Sequence, residues 1–128
     1  MIQKLAWAYA IVFVVIGLLG FIPMFVSEDL LLGVFSVTAM NNVLYLLSGL
    51  LAIAAAWVGG SYPRLYFKVF GILYAFAAII GFAQGDTVVG LMAVNAANNT
   101  LHLIAAIVAL WAGFGVKVEV PARAGVAA

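Results

Sequence analysis

"LLGVFSVTAMNNVLYL", residues 31–46, decides the fold because it occurs twice. Its echo is "VVGLMAVNAANNTLHL" at 88–103, at a constant offset of 57. Gly33 matches Gly90, Val37 matches Val94, and Asn41–Asn42 match Asn98–Asn99. Upstream, Gly20–Phe21 match Gly81–Phe82 at an offset of 61, so the first copy holds four extra residues around "IPMFVSED". Self-similarity at a fixed period marks a repeated supersecondary unit. Here the unit is a helical hairpin.

The composition says what surrounds these units. Of 128 residues, 69% are hydrophobic and 7% charged, with a mean hydropathy of +1.31. Soluble domains carry about 25% charged residues. A chain this apolar needs lipid as its solvent. A net charge of +1 offers no basic surface, so nucleic acid is not an expected partner. With no cysteine, disulfides, thiol catalysis and zinc–thiolate sites are excluded.

Charges leave uncharged runs at 5–26, 30–62, 69–85 and 87–116. A spanning helix needs about 20 apolar residues. The runs predict four transmembrane helices, over about 4–25, 39–58, 65–84 and 96–115. The fold class is therefore an all-α membrane protein, with four transmembrane helices built as a duplicated helical hairpin. Residues 1–116 form the four-helix domain, with repeat units at about 4–60 and 64–116. Residues 117–128 form a short cytoplasmic tail. The first run has no small-residue cleavage site after it and reads as a retained helix. Both units insert the same way round, as a parallel repeat.

All five basic residues, Lys4, Arg64, Lys68, Lys117 and Arg123, fall on the side of the termini. Glu28, Asp29 and Asp86 fall on the other. Lys and Arg mark the cytoplasmic side, so both termini are expected there, in the inner (cytoplasmic) membrane. Trp7, Trp57 and Trp111 lie near the same helix ends, as interfacial aromatics do.

The polar residues follow the repeat. Asn95, Asn98, Asn99 and His102 take the steps i, i+3, i+4, i+7, as do Thr38, Asn41, Asn42 and Tyr45. That spacing makes one helix face. Thr38 and Asn95 suit N-cap positions and Asn41 and Asn98 the N3 positions that follow. Capping leaves Asn42, Tyr45, Asn99 and His102, deeper in. One reading is interhelical bonding, worth about 0.6–2 kcal/mol per group in lipid. The other is an outward-facing polar pocket, because an intramembrane ionisable residue is a functional candidate. His102 alone makes no metal site, since zinc takes three or four ligands. No cofactor is expected, although His102 could supply one axial ligand to a haem or pigment.

Small residues form a second repeated line. Ser48, Ala52, Ala56 and Gly60 run at steps of four, and Ala105, Ala109 and Gly113 follow in the second unit. Such spacing lets helix backbones approach, within the chain or between subunits. The segments 30–37 and 88–94 are too short to span and are expected to be interfacial or re-entrant pieces over the Asn stripe. Pro23 should end or kink the first helix.

With these motifs in place, the chain resembles a bacterial family of small four-helix membrane proteins, domain of unknown function 4383. The resemblance rests on "GLLGFIP" (17–23), "LLGVFSVTAMNNVLYLLSG" (31–49) and "VVGLMAVNAANNTLHL" (88–103). Members often look like N-x-x-H-N-x-x-H-L in the first unit, where Thr38, Asn41 and Tyr45 replace Asn and two His. In the second unit, N-x-A-D-N-x-L-H-L, Asn98 replaces Asp, while Asn95, Asn99 and His102 match. The resemblance implies architecture and no particular activity. Without a nucleophile–base pair, an enzyme is not expected. The expected role is that of an oligomeric or accessory subunit, a homo-oligomer or a partner of other membrane proteins, acting by helix–helix association. The alternative is a ligand-, proton- or small-solute-binding or transport module built on Asn42, Tyr45, Asn99 and His102.

Overall fold

A computed structural model describes residues 1–115. The tail at 117–128, with Lys117 and Arg123, lies outside the described residues. The chain forms four helices: α1 (Ile2–Leu19), α2 (Ala39–Val58), α3 (Tyr62–Gln84) and α4 (Ala96–Leu110). A π-helical turn, Trp111–Gly115, continues α4. All four are long and apolar enough to cross a membrane, counting the last as Ala96–Gly115. At 18 to 23 residues, they span about 27–35 Å at 1.5 Å per residue, against a hydrocarbon core of about 30 Å.

Helix α1 stops earlier than its apolar run. Ile22 is extended (φ −98°, ψ 113°), as the residue before a proline prefers, and Pro23–Phe25 form a 3₁₀ turn. Pro63, by contrast, sits in the first turn of α3, where its missing N–H removes no helical bond.

Helix α1 packs chiefly on α2, and α3 chiefly on α4. Small residues set both approaches. A methyl group on Gly17 would lie 2.8 Å from Leu46 N, and one on Gly49 2.7 Å from Val14 N. On Gly71 it would lie 3.0 Å from Leu110 N, and on Gly113 2.8 Å from Lys68 N. Ser48, Ala52, Ala56, Ala105 and Ala109 are buried within the chain. The small-residue line therefore serves packing inside the chain. Gly60 is a correction to it: the residue is exposed, with φ +61°, in the turn that follows α2. The helix has already ended at Gly59, whose φ of +73° no longer continues it.

The outer surface carries large apolar side chains such as Ile11, Leu47, Ile79 and Ile107, while aromatic rings fill the centre. Phe13 stacks on Tyr74 at 5.3 Å, and Tyr9 meets Phe67 edge-on at 5.0 Å.

The two short connecting segments, expected as interfacial or re-entrant pieces, fold as small β-hairpins in an otherwise helical chain. Strands β1 (Val26–Ser27), β2 (Leu30–Leu31) and β3 (Phe35–Ser36) form one antiparallel sheet; β4 (Thr87–Val88) and β5 (Met92–Ala93) form another. A hairpin pairs its own backbone groups within a few residues. The pairs Leu30↔Ser36 and Leu31↔Phe35 recur as Thr87↔Ala93 and Val88↔Met92, each 57 residues on. Gly33 and Gly90 turn the chain at φ +73° and +74°.

Among the described residues, only the first hairpin has a third strand, β1. There, Leu32 N–H donates to Phe25 O at 2.8 Å. At the equivalent place, Val89 N–H donates to Gln84 Oε1 at 3.0 Å. The longer α3 thus brings a side chain where the first half brings the last carbonyl of its 3₁₀ turn.

Candidate functional site

Both hairpins lie at one end of the bundle, over the starts of α2 and α4. Thr38 caps α2, its hydroxyl accepting from Asn41 N at 3.2 Å. Asn95 caps α4 in a reciprocal box with Asn98: Asn95 Oδ1 accepts from Asn98 N at 3.0 Å, and Asn98 Oδ1 from Asn95 N at 3.1 Å.

Asn41 and Asn98 are fully buried, and capping is the lesser part of their work. Asn98 Oδ1 accepts from Ser36 N at 2.8 Å, and its Nδ2 donates to Ser36 O at 3.2 Å. Asn41 Oδ1 accepts from Ala93 N at 3.1 Å, and its Nδ2 donates to Ala93 O at 2.7 Å and to Ser36 O at 3.1 Å. Ser36 and Ala93 stand 57 residues apart, as do Asn41 and Asn98. Each carboxamide thus pairs with the N–H and C=O of one residue in the other half's hairpin. It meets a strand edge as a neighbouring strand would. An unpaired backbone group buried there would cost about 1–3 kcal/mol.

One turn deeper, the interior turns aromatic. Tyr45 Oη and His102 Nε2 are hydrogen-bonded at 2.7 Å. Asn98 Nδ2 also donates to Tyr45 Oη, at 3.2 Å. Tyr74 lies beside His102, with ring centroids 5.6 Å apart. Tyr74 Oη is bonded to Ser48 Oγ at 2.6 Å, and Ser48 Oγ donates to Leu44 O at 2.8 Å. Tyr66 donates to Ser48 O at 3.0 Å, and Tyr9 to Ala105 O at 2.6 Å. Apart from the Ser48–Leu44 bond within α2, these bonds join helices that pack less intimately than the α1–α2 and α3–α4 pairs.

The structure divides the four residues expected to line one pocket. Tyr45 and His102 meet at the centre. Asn42 and Asn99 do not join them. The Asn42 amide presses on Gly20 next to α1, and the Asn99 amide on Gly81 of α3, each where a Cβ would stand. The stripe i, i+3, i+4, i+7 is wide enough for its i+4 member to face a neighbouring helix pair-mate rather than the centre. Asn42 Oδ1, Asn99 Oδ1 and His102 Nδ1 are buried with no hydrogen-bond partner among the described residues.

The stripe pattern identifies Asn41, Asn98 and His102 but misses Tyr9, Tyr66 and Tyr74. A tyrosine within an apolar run was the available signal, because its hydroxyl needs a partner when buried. Among the described residues, no three His, Cys, Asp or Glu side chains gather.

The family described as Domain of unknown function (DUF4383) matches residues 3–115. The chain belongs to this family. The DUF4383 match covers all four helices and both hairpins, and so the whole arrangement of amides, tyrosines and histidine. No curated protein and no solved structure matches the chain.

Proposed function

We propose that this DUF4383 protein is a non-enzymatic subunit of the cytoplasmic membrane that acts by self-association through its helices. The observation that carries this reading is an open apolar groove of about 480 Å³ between α2 and α3. Exposed Leu51, Ala54, Val58, Leu65 and Val69 line it. It follows the seam between the two helix pairs, where Ala54 leaves room for the backbone of another helix. The basic residues Lys4, Arg64 and Lys68 gather at the end opposite the hairpins, which supports cytoplasmic termini.

The test uses the lack of native cysteine. Ala54→Cys should give a disulfide-linked dimer of this chain on mild oxidation in native membranes. Ile11→Cys, exposed on α1, should not. Equal crosslinking at both positions, or none at Ala54→Cys, would remove the groove as the contact.

A second reading has its own observation. At the centre of the bundle, buried His102 Nδ1 has no partner among the described residues, which suits a module that takes up a small polar ligand. A ligand that raises the melting temperature of the wild-type protein and not of His102→Gln would favour it over association.

A further inference from the structure

The hydrogen bonds around Asn98 fix where the proton on His102 resides. Asn98 Oδ1 faces two backbone donors, Ser36 N at 2.8 Å and Asn95 N at 3.1 Å. Its orientation is therefore set, and Nδ2 is the group turned to Tyr45. Tyr45 Oη thus accepts from Asn98, and its own proton needs an acceptor. His102 Nε2, at 2.7 Å, is that acceptor. An imidazole that accepts at Nε2 carries its proton at Nδ1. The opposite tautomer would leave two groups unmatched, the Tyr45 proton and the bare Nδ1. The Nδ1–H tautomer leaves one.

That one group is a donor in the middle of the bundle. His102 is fully buried, and Nδ1 has no partner among the described residues. The ring centroids of Tyr45 and Tyr74 stand 5.7 and 5.6 Å from that of His102, and Phe13 packs against both tyrosines. No charged side chain is among these neighbours, so the surroundings select a neutral acceptor. Full burial among aromatic rings selects a small one.

We propose that His102 is held as its Nδ1–H tautomer and that Nδ1–H donates to a single water bound inside the bundle. Buried waters typically occupy places where a polar group would otherwise lack a partner. One line of donors runs from Ser36 N through Asn98 and Tyr45 to His102 and the water, while Asn98 Nδ2 also donates back to Ser36 O. The inference stands on these bonds alone and is independent of whether the protein self-associates.

Nitrogen NMR of the wild-type protein in lipid nanodiscs, labelled at its single histidine, tests this directly. The expected spectrum has Nδ1 in the protonated range and Nε2 in the bare range, with magnetisation passing from water to the Nδ1 proton. A protonated Nε2 would overturn the tautomer. A protonated Nδ1 without transfer from water, its N–H resting on the Tyr74 ring face, would overturn the bound water. Tyr45→Phe removes the donor to Nε2, so the tautomer should become mixed. An unchanged spectrum in that variant would show that Tyr45 does not set it.

Discussion

Gly20 and Gly81 show how much a missing methyl group does in this protein. Each gives its side-chain space to an amide oxygen, that of Asn42 or Asn99. Those oxygens have no hydrogen-bond partner among the described residues, so close contact with the glycine backbone is what they have in its place. Gly20→Ala and Gly81→Ala should each destabilise the protein by about 1–3 kcal/mol, the usual cost of forcing extra volume into a packed site. Adding Asn42→Ala to Gly20→Ala should recover much of the loss, because the collision has one partner. Thermal unfolding in detergent checks this; a double variant no better than the sum of the singles would dissociate the two residues. The sequence pairs Gly20 with Gly81 and Asn42 with Asn99, but periodicity cannot show that one pair rests on the other. The contact joins residues on different helices, and one sequence holds no record of it.

At the scale of elements, the two hairpins and the starts of α2 and α4 form one unit closed by crossed bonds. Asn41 holds the hairpin of the second half at Ala93, and Asn98 that of the first half at Ser36. A plain cap would act on its own helix. The crossed arrangement predicts otherwise. Asn98→Ala should speed amide hydrogen exchange at Ser36, and Asn41→Ala at Ala93, each roughly tenfold or more for a loss of about 1.4 kcal/mol or more. Exchange altered only within the mutated residue's own helix start would contradict it.

Helix α2 was legible to the residue, 39–58, because Thr38 caps it and Gly59 ends it. The hairpins were not. Their strands are two residues long, and their turns place Leu32 and Val89 at φ +55° and +44°. Leucine and a β-branched valine are poor signals for a left-handed turn. Their neighbours Gly33 and Gly90, matched in the repeat, are the better clue to a turn.

For the whole molecule, the structure joins two close helix pairs through a centre of aromatic rings and a few buried hydrogen bonds. Four spans and the family were legible from the uncharged runs and the doubled motif. The separation of Asn42 and Asn99 from Tyr45 and His102 was not, since helical spacing gives a shared face and not its neighbours. The line from Ser48 to Ala56 and from Ala105 to Ala109 packs within the chain, which leaves the α2–α3 groove as the feature that supports association. The central functional proposal is that copies of this chain meet in the membrane. Native mass spectrometry of the protein released directly from lipid nanodiscs tests it most plainly. Assemblies at multiples of the 13.5 kDa chain are expected. A single chain as the sole species across lipid compositions and protein concentrations would contradict it.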